Sequence, residues 1–341
     1  MIHLLKEVGR GKRGARDLTY DEALEAAEAI LSRKATPAQI GAFLIAERIK
    51  MESGEELAAF VHVLRQSARR GEPAMGGIDC AGPYDGRKKS FLATFAAAFV
   101  LAAAGLPVTL HGTPSLPPKW GTTLHDMLAR MGIDPRKSGR EAFIRAARET
   151  GVLYADAEEW CPPLKNLRPI REELGLRTAL NTAEKLIDFG MSPYLVFGVY
   201  HNTVIDRLIR LASALNYRKA LIVQGAEGSE DLFIERPTRV YVLQDGDAEL
   251  QLVNPESYGL EAPVPEVNWT PEQQLKVTEA VLRGEAAPAF SNQVLLNGAW
   301  RLLLAERAGS VEEGLRICKS LLDAGKPWDL YRKWVELLKQ P

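Results

Sequence analysis

The stretch FLATFAAAFVLAAAGLPVTL, residues 91–110, decides between two architectures. Its length is about that of a membrane span. Much of it is alanine, however, which gains little from lipid, and Gly105-Leu106-Pro107 would break a helix inside a bilayer. A buried helix that stops near Gly105, followed by a short strand PVTLHG at 107–112, fits the same residues as one unit of a soluble α/β domain. No membrane association is expected.

Working outward, short β-branched runs alternate with helical segments from about residue 76 onward. PVTLHG (107–112), ALIVQG (220–225) and TRVYVLQ (238–244) are the strands, and 91–104, 121–131, 141–149 and 203–215 the helices between them. Upstream the pattern is wholly helical. Thr19 precedes YDEALEAAEAILSRK, Thr36 and Pro37 open the next helix, and Ser53 with Glu56 three residues later opens a third. The chain therefore divides into an all-helical unit over 1–72, joined by helices from about 165–190, and an α/β unit over 73–341. A closing helical stretch runs from about 270 to 340, with Ser310 as a cap.

Composition narrows the functional classes. The 341 residues carry a formal net charge of −1, so no chain-wide field would hold nucleic acid or an anionic membrane, and any anion site must be local. Cys80, Cys161 and Cys318 form neither zinc-ligand nor disulfide-framework spacing, which points to a reducing cytoplasm. The five histidines show no metal-ligand spacing and no GxSxG nucleophile motif occurs, so zinc and covalent catalysis are not expected.

Three stretches carry candidate chemistry. AGPYDGRKKS, residues 81–90, stands where a phosphate-binding loop would lie between strand and helix, but it has only Gly82 and Gly86, and Pro83 supplies no N–H. Arg87, Lys88 and Lys89 could hold an anion as charges; they could equally form a solvated turn. Glu227, Glu230 and Asp231 cluster in a loop after a strand, which suits Mg²⁺ shared with a pyrophosphate, or only a solvated acidic turn. Lys165, Arg168, Arg171 and Arg177 lie within CPPLKNLRPIREELGLRTALN, where Pro169 is expected to start a short helix that Gly175 ends. Arg168 and Arg171 would share a face, to clamp an anion or to pair with Glu172 and Glu173.

The order of these parts resembles anthranilate phosphoribosyltransferase along nearly the whole chain. The matching stretches are LTYDEALEAAEAILSRKATPAQIGAFLIAERIKMESGEELAAFV, the DG before AFVLAAAGLPV, the HG of 111–112, REELGLRTALN, GSED, PTRVY and LLNGAW…AGSVEEGL. The resemblance implies a small helical domain that makes a homodimer, and a large α/β domain with a central mixed sheet flanked by helices. The site would lie in the cleft between them. It also implies transfer of a pentose from a phosphorylated donor, with Mg²⁺ on the departing pyrophosphate. Such a reaction passes through a cationic sugar and needs positioning and neutralisation rather than a nucleophile. By position, Glu230 and Asp231 stand for the family's metal carboxylates in reversed order, and Arg171 for its acceptor arginine. Gly82, Asp85, Gly86, Arg87, Lys88, Thr94, His111, Gly112 and Lys119 stand on the donor-phosphate side.

The chain also departs from that pattern. The family's Gly-Thr-Gly-Gly-Asp-Gly loop keeps in register only Asp85 and Gly86. Its Asn-x-Ser-Thr becomes Leu92, Ala93, Thr94 and Phe95, and its Lys-His-Gly-Asn-Arg becomes LHGTP. A phosphate-binding serine pair becomes Pro117 and Pro118, and Cys161 stands near an acceptor-side histidine. These losses imply a divergent pentosyltransferase that does not bind the usual donor in the usual way, with RKK in place of backbone donors. The alternative is a non-catalytic member that binds nucleic acid or another polyanion.

Overall fold

In this computed structural model the described residues are 1–11, 13–71, 77–201, 204–215 and 217–340. The chain opens with four helices: α1 Ile2–Val8, α2 Tyr20–Leu31, α3 Pro37–Lys50 and α4 Gly54–Ser67. The last three are those expected, and each begins with a reciprocal cap: Thr19 with Glu22, Thr36 with Gln39, Ser53 with Glu56. Each cap satisfies two N–H groups that have no acceptor within the helix. α1 is additional; seven residues are too few to show a helical period.

The helix Pro162–Leu174 packs on α2, α3 and α4. Pro162 and Pro163 open it and Pro169 lies inside, which corrects the expected start at Pro169. Prolines suit a first turn because its N–H groups lack helical acceptors anyway. The expected unit boundary at 72/73 lies outside the described residues.

The α/β unit holds a seven-stranded mixed sheet: β1 Ile78–Ala81, β2 Val108–Gly112, β3 Val152–Asp156, β4 Tyr194–Gly198, β5 Lys219–Val223, β6 Thr238–Gln244 and β7 Asp247–Val253. The order is β3-β2-β1-β4-β5-β6-β7. β1–β5 pair in parallel, and β6 and β7 add antiparallel. β2, β5 and β6 lie where expected. β1, β3 and β4 are short and buried on both faces, so they carry no alternation to read.

Helix α5, Ala93–Ala103, buries Ala93 through Leu101, and Gly105 takes a positive φ beyond its end. It packs against β2 and the helices Pro288–Leu304 and Lys326–Lys339. Trp334 of the latter donates its indole N–H to Val152 O at 2.9 Å and meets Phe95 and Phe99 edge-on. The ambiguous stretch 91–110 is thus domain core. Among the described residues no helix is long and apolar enough to cross a membrane. The C-terminal ends of the parallel strands share one edge of the sheet, and β4 meets the α3–α4 junction there; open α/β sheets take ligands at this edge.

Candidate functional site

The loop after β1 is held by close backbone approaches. Gly82 lies against Glu230: a Cβ on Gly82 would come within 2.6 Å of a carboxylate oxygen. Gly86, at φ +75°, stacks on Gly121, and Arg87 bridges Thr122. Asp85 is buried, with Lys119 Nζ 3.1 Å away and Arg177 on its other oxygen. Burial pulls the Lys119 amine below its ordinary value despite Asp85.

Arg87 turns inward and is buried. Its guanidinium lies 2.7 Å from Asp231 and 3.3 Å from Glu230, and it donates to Phe91 O at 2.6 Å. Arg301, also buried, meets Asp231 from the other side at 2.9 Å. Thr94, at the start of α5, completes the set, donating its hydroxyl to Asp231 at 2.6 Å and its N–H at 3.2 Å. Burial would raise the Asp231 carboxyl, but Arg87 and then Arg301 hold it below its ordinary value. Glu230 and Asp231, expected on a metal, and Thr94, expected on the donor phosphate, thus meet one another inside a closed ion-pair cluster. Mg²⁺ needs several oxygens turned toward it, and both carboxylates here are covered by guanidinium groups, so the residues as arranged do not fit that ion. Among the described residues no group of three or more His, Cys, Asp or Glu is arranged to hold a metal.

The remainder of RKK differs from the expected exchange of backbone donors for charges. The Lys88 and Lys89 side chains are exposed, and it is their N–H groups that bind an anion, the Glu227 carboxylate, each at 2.9 Å. Ser90 adds its hydroxyl at 2.8 Å, and Lys119 donates to Glu227 O at 2.8 Å. Burial opposes ionisation of Glu227, but these donors outweigh it and keep the carboxyl below its ordinary value. Glu227 adopts a left-handed φ of 56° to reach them, uncommon for a residue with a Cβ. The phosphate-like nest thus holds the protein's own carboxylate.

Arg171 is likewise committed. Buried, it forms a two-pronged pair with Glu184 at 2.6 and 2.9 Å, which closes the expected acceptor position. Arg168 bonds Glu158 at 2.7 Å and Glu172 at 3.0 Å. His111 is a buried structural histidine, 2.7 Å from Tyr84 Oη and 3.1 Å from Asp79, and Gly112 only ends β2 beside it. Burial raises the Cys161 thiol to about 12, leaving it inert.

Beside this closed cluster lies a cavity of about 290 Å³ between the α3–α4 junction, residues 177–185 and the end of β4. Its cations are Arg48, Arg177, Lys185 and Arg207, against one acidic residue, Glu52. Arg48 donates to Arg177 O, Arg207 to Glu52 O and Lys185 to Gly198 O; among the described residues none of these three has a carboxylate ion-pair partner. The Thr178 hydroxyl on the same wall is buried and without a hydrogen-bond partner. Tyr200, 60% exposed, stands at the rim with His201 edge-on to its ring.

Sequence reasoning did not single out Arg48, Lys185, Arg207, Glu184 or Arg301. Arg301 had a legible signal, a charge within the apolar helix LLNGAWRLLL, which must be paired if buried. For Arg48 and Arg207, ordinary helical positions, there was none.

Comparison with known proteins places these features in a family. Residues 2–68 match the helical bundle domain of a glycosyl transferase family, and residues 82–328 match its a/b domain. The anthranilate phosphoribosyltransferase of Thermomicrobium roseum is 33% identical over 324 residues, covering 92% of this chain and 90% of that protein. That of Symbiobacterium thermophilum is 33% identical over 331 residues, covering 96% and 94%. The Thermus thermophilus anthranilate phosphoribosyltransferase structure superposes with a TM-score of 0.83 at 23% identity over 99% of both chains. The Saccharomyces cerevisiae enzyme in complex with PRPP and Mg gives 0.83 at 18% identity, over 99% of this chain and 97% of that one.

Proposed function

The chain belongs to the anthranilate phosphoribosyltransferase family, and from that membership we propose that it is a non-catalytic, anion-binding member. Its ligand is phosphate-bearing and sits in the cleft of Arg48, Arg177, Lys185 and Arg207. The yeast relative binds PRPP with Mg. In this chain Mg²⁺-dependent transfer from a phosphorylated pentose is not the reading we favour. One contrast carries this: Arg87, Arg171 and Arg301 are each closed by a carboxylate, whereas among the described residues Arg48, Lys185 and Arg207 bond only main-chain carbonyls. Arg48 is exposed, Arg207 half-buried and Lys185 buried, and a cation whose hydrogen bond goes to a carbonyl still gains from an incoming anion, at about 1.5–3 kcal/mol per charged hydrogen bond.

Calorimetry with PRPP, inorganic pyrophosphate and inorganic phosphate, with and without Mg²⁺, tests this directly. Binding that is independent of Mg²⁺, without turnover of PRPP and anthranilate, is expected. Complementation of a tryptophan auxotroph at ordinary expression would overturn it.

Tyr200 favours a second reading, a nucleotide or single-stranded nucleic acid. An exposed ring at the rim of a cationic cleft gives a base something to stack on, worth about 1–3 kcal/mol per base. A labelled oligonucleotide whose affinity falls steeply with salt in wild type, and less steeply after Tyr200→Ala, would support it. The helical unit over 1–72 is proposed to join two copies, since Ile49 is 70% and Met51 51% exposed. A cytoplasmic location is proposed on the three free, buried cysteines.

A further inference from the structure

We propose that Lys185 is a carbonyl-reactive amine, and that the cleft takes a phosphate ester bearing an aldehyde, held reversibly as an imine. This rests on the anion-binding reading of the cleft and names its ligand class more narrowly.

Lys185 lines the cavity from its inner wall and is buried. Its Nζ lies 3.8 Å from the Phe197 ring centre and donates to Gly198 O at 2.6 Å. The charged groups that act on it are Arg177, Glu230, Asp85 and Glu184. The three carboxylates are already engaged: Glu184 with Arg171, Glu230 with Arg87, and Asp85 with Lys119 and Arg177. Lys185 is therefore a buried amine beside a guanidinium, with no carboxylate of its own. Burial first, and Arg177 second, pull it down to about 7, so a large fraction is unprotonated at neutral pH. A lysine desolvated next to another cation is the arrangement that makes an amine nucleophilic.

The chemistry balances without any other reactant. The unprotonated Nζ adds to the carbonyl carbon, and the carbonyl oxygen takes a proton to give a carbinolamine. Loss of one water then forms the C=N bond, and hydrolysis reverses it. The phosphate of the same ligand is met by Arg48 and Arg207, which line the same cavity. The cavity is therefore selective for a carbonyl compound that also carries a phosphate. An exposed lysine, with its ordinary value of about 10.4, would stay protonated at pH 7 and react slowly.

Pyridoxal 5′-phosphate is the probe. The full-length protein is incubated with it, the imine is followed by absorbance and reduced with borohydride, and the label is located by peptide mass mapping. One equivalent on Lys185 is expected, with labelling half-maximal near pH 7. Inorganic phosphate should suppress it, and unphosphorylated pyridoxal should react at least about tenfold less, a difference of about 1.4 kcal/mol. Lys185→Arg, checked for an unchanged melting curve, should lose that label. Labelling spread over Lys88, Lys89 and other exposed lysines with Lys185 untouched would overturn the proposal, as would equal labelling by pyridoxal. If calorimetry shows inorganic phosphate binding to wild type while Lys185 stays unlabelled, this inference alone fails. Labelling of Lys185 that phosphate neither suppresses nor competes with, alongside absent phosphate binding, would overturn the anion-binding reading as well.

Discussion

Replacing Arg87 by methionine should convert the closed cluster into an open one. Arg87 is buried and spans both carboxylates, 2.7 Å from Asp231 and 3.3 Å from Glu230. Asp231 keeps Arg301 and Thr94, so Glu230 bears most of the loss. Breaking a buried pair by removing one partner costs about 3–5 kcal/mol. With an unfolding entropy of about 2.1 cal/mol/K per residue, a chain of this length should melt about 4–7 °C lower. The pH dependence should also weaken. In wild type the folded-state value of Asp231 is depressed, so its stabilisation is present above the unfolded value and is lost as pH falls through the folded one. The variant keeps Arg301 and Thr94 on Asp231, so part of this loss should persist between pH 7 and pH 5. Mg²⁺ supplies the decisive comparison. Wild type should show no shift in Tm, whereas the variant's Glu230, freed of its guanidinium, should accept the ion; at ten times Kd this returns about 1.4 kcal/mol, or about 2 °C. Scanning calorimetry at both pH values, with and without Mg²⁺, reads all of this. Equal stabilisation of wild type and variant by Mg²⁺ would mean that the carboxylates are already available, and the closed-cluster reasoning would be wrong.

Arg48→Ala combined with Arg207→Ala should weaken inorganic pyrophosphate binding at least about tenfold, at about 1.5–3 kcal/mol per charged contact; unchanged affinity by calorimetry would remove the cleft as the site. Glu227→Ala should cost about 1–2 kcal/mol at pH 7, because Lys88 N, Lys89 N and the Ser90 hydroxyl lose their acceptor. Since the folded-state value of Glu227 is depressed, the gap between wild type and variant should close as pH falls through that value, which urea unfolding at neutral and acid pH would reveal. Ile49→Glu should give a monomer by light scattering at micromolar concentration if the helical unit joins two copies; an unchanged mass would place the contact elsewhere.

The helical unit was legible in sequence because its signals are local: Thr19, Thr36 and Ser53 each cap the helix that follows by contacts three residues away. Residues 91–110 were legible for the same reason, since Gly105 stops the helix whatever packs around it. Strands β1 and β4 were not, because IDCA and YLVFG are buried on both faces and show no period. The candidate site was legible in its members but not in its wiring. Asp85, Arg87, Thr94, Glu230 and Asp231 do converge, yet which charge faces which depends on pairs more than a hundred residues apart, such as Arg87 with Glu230 and Thr94 with Asp231. The sign of the outcome turned on Arg301 and Glu184, neither of which sits in a motif.

The buried charges form one electrostatic arrangement. A transferase that handles pyrophosphate must keep donors and carboxylates open, at a cost in stability while no ligand is bound. Here each such position has an internal partner: Glu227 on the N–H nest, Arg87 and Arg301 on the carboxylates, Glu184 on Arg171. Removing one member would leave a buried charge unpaired, at about 3–5 kcal/mol for each broken pair. The cleft cations follow a different rule, because among the described residues Arg48 and Arg207 bond main-chain carbonyls and no carboxylate. A carbonyl dipole satisfies the hydrogen bond and leaves the net charge standing. On the proposed reading, the charge left standing on Arg48 and Arg207 is what an external anion would meet in this cleft.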